Sequence, residues 1–234
     1  MFHKKKLLSL TLLLIFALCA PAAFAGTAYY CDLSNPGTDS GSAGTFEDPF
    51  VSLKECNNTS FSTGDDLYFK AGEDTGAMTS DAGCERLVVD WSGTSGDRVI
   101  IGGYWDDGGS PNTDMTGKTK PILRGTRNGG RGTSGNWPGA YVAMILVKGD
   151  DYVTIQDIQL SDVGGVGIQI SNSVGATISR CVVTNVVEQG ILVAYSDGGV
   201  TDFIIEENDI KLKRLDKKVT YHDPCHTPDT PQKH

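Results

Sequence analysis

The residues best suited to ligand chemistry are three arginines and a tryptophan in one glycine-rich stretch. Arg124, Arg127, Arg131 and Trp137 fall within the sequence RGTRNGGRGTSGNW, in an otherwise acidic chain. The planar guanidinium fork of arginine matches a carboxylate, and an exposed indole can stack on a sugar ring. The pattern predicts a loop that binds an acidic carbohydrate. The alternative is a surface loop with incidental charge.

Other polar and aromatic segments give weaker indications of a site. The segment Tyr104-Trp105-Asp106-Asp107 could form a sugar platform or a calcium site, or it could be a turn whose aromatic rings pack on the core. Asp65-Asp66 and Asp150-Asp151 each follow a glycine and have the sequence of turns that fix strand entry. Calcium needs several convergent oxygens. We therefore assign no metal ligand and no cofactor, and leave calcium as an open option.

A repeated pattern indicates which elements must position these residues. Matching segments begin at Val153, Ala176 and Phe203, so they recur at a similar spacing, and Gly167 matches Gly190 in step with them. Each unit has short apolar-alternating strands between polar, glycine-bearing turns, and it cannot bury its apolar face alone. Stacking the units would bury a continuous core. The pattern predicts an all-β chain that folds as a parallel β-helix.

The same alignment predicts rows of outward-facing residues along the solenoid. One row contains Gln156, Ser179 and Glu206, and the next contains Asp157, Arg180 and Glu207. A glycan in a groove could contact these rows, but any β-helix exposes rows of solvated side chains. In the slot of Ile158 and Cys181 the third unit has Asn208, which we predict to be a turn asparagine that bonds the backbone.

Residues 1–25 have the pattern of a secretory signal peptide. Lys4-Lys5-Lys6 precede an apolar run from Leu7 to Cys19, and Ala23-Phe24-Ala25 forms a cleavage site before Gly26. No second hydrophobic stretch follows. The sequence therefore predicts a secreted or periplasmic protein that has no membrane segment after cleavage.

Charge excludes some partners. The chain has 20 Lys+Arg against 29 Asp+Glu, a net charge of −9, and loss of the three signal-peptide lysines makes it −12. An acidic protein is a poor ligand for nucleic acid or an anionic membrane. The same charge weakens any simple attraction for acidic polysaccharides.

We divide the rest of the chain into three parts. Residues 26–84 form an N-terminal strand and cap region with a short helix over 49–56, residues 85–210 form the β-helix of about five coils, and residues 211–234 form an irregular tail. Predicted strands are residues 27–33, Leu87–Val89, Val99–Ile101, Ile122–Leu123, Met144–Val147 and those of the repeats. The ladder edge of the last coil would be open, which invites self-association.

Five cysteines remain after cleavage: Cys31, Cys56, Cys84, Cys181 and Cys225. Export permits disulfides. Cys31 and Cys56 bracket one loop, and we favour that pair over Cys56–Cys84. Cys181 lies in an apolar slot of the repeat, which predicts a buried free thiol.

Several motifs resemble a known superfamily. Tyr29-Tyr30-Cys31-Asp32, Asp48-Pro49-Phe50 and Gly64–Phe69, followed by Asp97–Tyr104 and Lys120–Leu123, are similar to the N-terminal portion of secreted right-handed parallel β-helix proteins of the pectate-lyase-like superfamily. The resemblance covers roughly residues 27–210 and implies a right-handed, single-stranded parallel β-helix. It does not imply one activity, because the superfamily includes lyases, hydrolases, epimerases and adhesins.

The tail carries a second, shorter resemblance. Lys217–His226 looks like the start of a cysteine-rich module of heterodisulfide-reductase-type subunits, in which the cysteine belongs to an iron–sulfur set. Only Cys225 is present here, so we expect no cluster. A chance match, or a frameshift or chimeric junction near Lys211, accounts for the similarity.

The resemblance and the arginine loop together suggest a protein that binds or acts on extracellular polysaccharide, including a polyuronate lyase or a glycoside hydrolase. A lyase needs a base and a cation that neutralises the carboxylate, and a hydrolase needs two spaced carboxylates. The sequence assembles neither set, so no catalytic residue is assigned. The alternatives are a non-catalytic glycan-binding or adhesive solenoid, and a truncated inactive fragment of a larger β-helix enzyme.

Overall fold

The computed structural model describes residues 26–34, 41–75, 86–125, 143–186, 188–194 and 200–211. Within these ranges there is one short helix, α1 (Leu53–Asn58). The strands in chain order are β1 (Ala28–Cys31), β2 (Asp66–Lys70), β3 (Leu87–Val89), β4 (Val99–Asp106), β5 (Pro111–Asn112), β6 (Ile122–Arg124), β7 (Ala143–Lys148), β8 (Val153–Gln156), β9 (Gln159–Ser161), β10 (Val166–Ser171), β11 (Thr177–Ser179), β12 (Val182–Thr184), β13 (Ile191–Ala194), β14 (Ile204–Glu206) and β15 (Asp209–Lys211).

The strands form three parallel sheets that wind around one core. Sheet 1 has the order β1-β2-β4-β8-β11-β14, with β5 paired antiparallel to β4. Sheet 2 has the order β13-β10-β7-β3, and sheet 3 has the order β15-β12-β9-β6. From β7 onward the chain visits sheets 2, 1 and 3 in turn and then repeats. This is the predicted parallel β-helix.

The strand registers confirm the alignment of the repeats. Ile178 pairs with Ile155 on one side and with Ile205 on the other. Ile168 pairs with Ile191 in sheet 2. A step of one repeat along the sequence therefore returns the chain to the same position one coil further on, as the spacing of the segments requires.

The corners of each coil use left-handed backbone at the same period. Tyr152, Asp157 and Asp162 have φ values of 52°, 55° and 55°, and Arg180 and Asn185, which are the equivalents of the last two in the next repeat, have 51° and 54°. Aspartate and asparagine enter this region more readily than most residues because their short side chains can bond the local backbone. The corners explain why polar residues interrupt the apolar alternation at fixed points.

The core is a set of apolar columns that run along the solenoid axis. Ile155, Ile178, Leu160 and Val183 are each 0% exposed. Cys181 is a buried free thiol, as predicted. Stacking of like residues between successive coils removes both faces of each inward side chain from water, which stabilises the fold by about 25 cal/mol per Å² of apolar surface buried.

The N-terminal region belongs to the same solenoid. Its strands β1 and β2 extend sheet 1, pairing with each other and, through β2, with β4. The predicted helix is present but begins at Leu53, where the Ser52 side chain accepts a hydrogen bond from the Glu55 amide. Cys31 and Cys56 are both free thiols in the structure, so the favoured disulfide is not formed there, but their Sγ atoms lie 2.7 Å apart. Cys84 and Cys225 lie outside the described residues.

Two sequence predictions about individual positions differ in their outcome. Asn208 does bond the backbone: its Oδ1 accepts from the Cys181 amide and its Nδ2 donates to the Ile178 carbonyl, while the left-handed residue is the preceding Glu207. The rows predicted as outward have the expected pairing, but two of their members are not on the surface. Ser179 is 2% exposed and Asp157 is 4% exposed, and the side chains of Lys120 and Arg180 bond the Asp157 carboxylate.

Candidate functional site

The structure places Arg124 at the end of β6, where its guanidinium forms ion pairs with two aspartates. Nε and Nη2 donate to the two carboxylate oxygens of Asp74, at 3.1 and 2.6 Å. Nη1 donates to Asp162 and to the Ser161 hydroxyl. The hydrogen bonds to Asp74, followed by those to Asp162, raise the pKa of Arg124. Its fork thus joins the chain before β6 to a corner of sheet 3. The other predicted ligand residues, Arg127, Arg131 and Trp137, lie outside the described residues.

A different set of charged residues comes together at a corner of the β-helix. Asp157 follows β8 and Arg180 follows β11, so the step of one repeat stacks one above the other. Lys120 lies just before β6 and reaches the same carboxylate from the side. The Lys120 Nζ donates to Asp157 Oδ1 at 3.0 Å, and Arg180 Nη2 donates to Asp157 Oδ2 at 2.7 Å. The Arg180 Nε lies 3.2 Å from each oxygen of the same carboxylate.

The three side chains differ in how far water reaches them. The Asp157 side chain is 6% exposed, whereas those of Lys120 and Arg180 are 23% and 44% exposed. A buried carboxylate therefore holds two more exposed cations side by side. Because a buried charge is costly without partners, Asp157 fixes the positions of both.

These residues form one wall of an open groove of about 640 Å³. The loop Thr113–Gly117 also lines the groove. Asparagine and aspartate side chains brace this loop: the Asp114 amide donates to Asn112 Oδ1, and the Thr116 amide donates to Asp114 Oδ1. These bonds from Thr116, its side chain first, lower the pKa of Asp114. The groove is therefore lined by hydroxyl, carboxylate, ammonium and guanidinium groups.

Trp105 and Gly103 of β4 both contact the loop Thr113–Gly117. The Trp105 indole N–H donates to the Asp114 carbonyl at 3.1 Å, and the Lys118 ammonium lies 3.4 Å above the indole ring centre. Met115 is 6% exposed and packs where Gly103 has no side chain. Tyr104 is 2% exposed, with its ring 4.9 Å from that of Tyr30. In the segment Tyr104–Asp107 the ring of Tyr104 therefore packs inward, and that of Trp105 holds the groove loop.

The two cations of the groove keep N–H donors that Asp157 does not use. The hydrogen bonds from Arg180 to Asp157 raise the pKa of Arg180, so it stays protonated. Arg180 Nε and Nη2 donate to Asp157, and within the part of the chain that the structure describes Arg180 Nη1 has no partner. The Lys120 ammonium donates one N–H to Asp157, so its other two N–H groups can still donate to a ligand. The described residues contain no group of three or more His, Cys, Asp or Glu side chains that could hold a metal ion.

Sequence reasoning did not identify this site. Asp157 and Arg180 were assigned only to a row of outward residues, and Lys120 only to a motif of the early coils. One signal was present: aspartate and arginine occupy equivalent positions of adjacent repeats, which places opposite charges one coil apart. Lys120 comes from a segment outside the repeats, so the repeat pattern does not predict its contact with Asp157.

Residues 141–220 match the model of a family described as the right-handed β-helix region. That match gives the hand of the coils described above. The fold of the chain is a right-handed parallel β-helix. No curated protein matches its sequence. None of the described helices is long and apolar enough to cross a membrane.

Solved structures with a similar fold include two forms of a GH136 lacto-N-biosidase from Eubacterium ramulus. The selenomethionine derivative is 15% identical over 80% of this chain, with a TM-score of 0.48. The native protein is 14% identical over 80% of the chain, with a TM-score of 0.46. A rhamnogalacturonan lyase is 12% identical over 80% of the chain, with a TM-score of 0.48. The chain spans 35%, 34% and 54% of the lengths of these three proteins.

Proposed function

We propose that the protein binds an extracellular polysaccharide that carries carboxylates, and that it does so in the groove between Lys120, Arg180 and the loop Thr113–Gly117. One observation carries the proposal. Two cationic side chains from separate segments are held side by side in an open polar groove by a single buried carboxylate. The free donors of Arg180 and Lys120 suit a uronate carboxylate, and the threonine hydroxyls suit sugar hydroxyls.

The groove favours retention of the glycan over its cleavage. β-Elimination needs a base that can release its proton near neutral pH, and the raised pKa of Arg180 opposes that role. Asp157 accepts from both cations and is covered, so it is poorly placed to exchange a proton with a ligand. The non-catalytic glycan-binding solenoid is therefore the better proposal, and a polyuronate lyase or hydrolase is the alternative.

Binding is tested with matched ligands and matched variants. Oligogalacturonides, which carry free carboxylates, are compared with their methyl esters by titration calorimetry. Lys120→Gln and Arg180→Gln should each weaken binding of the free acid by about tenfold, since a hydrogen bond to a charged group contributes about 1.5 kcal/mol or more. The esters should bind weakly to all forms of the protein, because the carboxylate is masked.

Lys148→Gln is the control, because it removes the same charge from an exposed position in sheet 2. It should leave the affinity unchanged. Equal affinity of Lys120→Gln and the native protein for the free acid would contradict the site, provided that circular dichroism shows both folded. Ultraviolet absorbance from an unsaturated product during the titration would instead support the lyase alternative.

We also infer that the protein is exported. The inference rests on the signal-peptide pattern of residues 1–25, which lie outside the described residues. N-terminal sequencing of protein recovered from the periplasm or the medium should begin at Gly26. Recovery only of chains that begin at Met1, from the cytoplasm, would contradict export.

A further inference from the structure

The last described coil of the β-helix leaves an apolar surface open to water. Phe203, Ile205 and Ile210 are 47%, 44% and 43% exposed. The register places Ile205 over Ile178 and Ile210 over Val183. Phe203 occupies the position in its repeat that Ala176 occupies in the repeat before. Those three residues are each 0% exposed because the last coil covers them. The open end, defined here as Phe203, Ile205 and Ile210, therefore lacks the cover that every equivalent position has one coil earlier.

The rim of the open end limits what can cover it. Four acidic residues, Asp202, Glu206, Glu207 and Asp209, are exposed around the apolar centre, and Lys211 pairs with Asp209 at 2.8 Å. A second copy would bring the same acidic rim against itself, and like charges at short range oppose that contact. The occupant that fits the rim is apolar at its centre and basic around it.

A segment with that chemistry follows directly. Residues 212–220, LKRLDKKVT, lie outside the described residues and contain four basic residues against one acidic residue. Their apolar members, Leu212, Leu215 and Val219, are spaced three and four positions apart. A segment of this length can reach about 13 Å as a helix and about 30 Å extended, so it can cross both β14 and β15. The family match also continues to residue 220, beyond β15.

We propose that residues 212–220 cover the open end. Leu212, Leu215 and Val219 would lie on Phe203, Ile205 and Ile210, with the basic side chains over the acidic rim. Solenoids need a terminal cap to shield the last coil from water and from other strand edges. This proposal is independent of the glycan-binding proposal, because neither surface shares a residue with the other.

The test compares the full chain, a chain that ends at Lys211, and a full-length variant with Lys213, Arg214, Lys217 and Lys218 all changed to Glu. Hydrogen exchange of the β14 and β15 amides is the direct readout. In the full chain these amides should be protected, and in both altered chains their exchange should rise at least about tenfold. Binding of the apolar dye ANS should rise in parallel, and Tm should fall by about 5 °C or more.

A rescue variant separates charge matching from damage to the fold. Glu206→Lys and Asp209→Lys, added to the charge-reversed tail, should restore protection and Tm towards those of the full chain. Equal exchange in all chains would overturn the proposal. Protection that rises with protein concentration, together with a dimer in size-exclusion chromatography, would also overturn it and assign the open end to a second copy.

Discussion

Arg180 and Asp157 occupy the same corner of successive coils and bind each other across one step of the solenoid. Both residues have left-handed backbone, with φ of 51° and 55°. Arg180 reaches both oxygens of Asp157, with the shortest contact at 2.7 Å. A polar corner of this kind joins two coils through side chains in addition to the strand ladder.

Removing the charge of Asp157 should destabilise the fold. Asp157→Asn keeps the left-handed corner, which asparagine tolerates, but it leaves Lys120 and Arg180 without their shared anion. We expect the free energy of unfolding in urea to fall by about 1–3 kcal/mol, within the range for a lost charged hydrogen bond. The partial exposure of Lys120 and Arg180 keeps the loss below that of a fully buried pair.

Asp202→Asn is the matched control for this change. Asp202 is also an aspartate with positive φ, 53°, but it is exposed. Its substitution should alter the free energy of unfolding by less than about 0.5 kcal/mol. Equal effects of the two substitutions would show that the ion pairs of Asp157 do not stabilise the corner.

Two adjacent glycines of β4 should respond differently to alanine. A Cβ on Gly103 would lie 3.0 Å from Met115 Cε and 3.1 Å from the Asp157 carbonyl oxygen, whereas a Cβ on Gly102 would meet nothing closer than 3.5 Å. Gly103→Ala should cost about 1–3 kcal/mol by overpacking and should loosen the groove loop. Gly102→Ala should be neutral or slightly stabilising. Thermal unfolding of both variants checks the difference, and a neutral Gly103→Ala would contradict the packing of Met115.

The β-helix could be predicted from the sequence because each coil repeats the same short pattern of apolar residues and turns. Ile155, Ile178 and Ile205 are aligned by their spacing alone, and the same spacing sets their register in sheet 1. The helix start was less accurate, since Pro49 allows a helix start but the hydrogen bond of Ser52 fixes it at Leu53. Caps depend on side-chain bonds that a hydrophobic pattern does not record.

The groove was harder to predict, because its parts come from segments of different kinds. Asp157 and Arg180 follow the repeat, but Lys120 and the loop Thr113–Gly117 lie in an insertion between β4 and β6. Nothing in the spacing of Lys120 and Asp157, 37 residues apart, indicates contact. Arginine-rich composition drew attention to Arg124, whose guanidinium instead binds Asp74 and Asp162.

We predict that Cys31 and Cys56 form a disulfide in the exported protein. Their Sγ atoms are 2.7 Å apart, and both residues are 0% exposed. Peptide mapping without reductant should show the linked peptides. Reduction should lower the free energy of unfolding by about 3 kcal/mol, as expected for a loop of this size. The double variant Cys31→Ala/Cys56→Ala is the control, and its stability should not change with reductant. Identical unfolding of the native protein with and without reductant would contradict the bridge.

Cys181 should be unreactive until the β-helix unfolds. Burial raises the pKa of its thiol to about 11, and only the thiolate is nucleophilic. At about pH 8 iodoacetamide should therefore label Cys181 far more slowly in the native protein than in urea. The raised pKa also means that this thiol contributes to stability below its unfolded pKa and loses that contribution as the pH rises towards 11. Rapid labelling under native conditions would contradict its burial.

The ion pair between Asp32 and Lys70 should give the N-terminal coils a pH-dependent stability. Lys70 Nζ lies 2.6 Å from Asp32 Oδ2. Burial alone would raise the pKa of Asp32, but hydrogen bonds from Lys70 and Ser34 lower it, and the bond to Asp32 raises the pKa of Lys70. Stability from Asp32 is therefore present above about pH 4 and lost as the pH falls through its folded pKa, while that from Lys70 is present below about pH 10 and lost above it.

A double-mutant cycle with Asp32→Asn and Lys70→Met measures this pair. The coupling free energy should be about 0.5–1 kcal/mol near neutral pH, since Lys70 is partly exposed. It should fall as the pH drops through the lowered folded pKa of Asp32, and it should weaken in about 1 M salt because screening acts on exposed charges. A coupling that stays constant across this pH range would show that the two side chains interact through packing and not through charge.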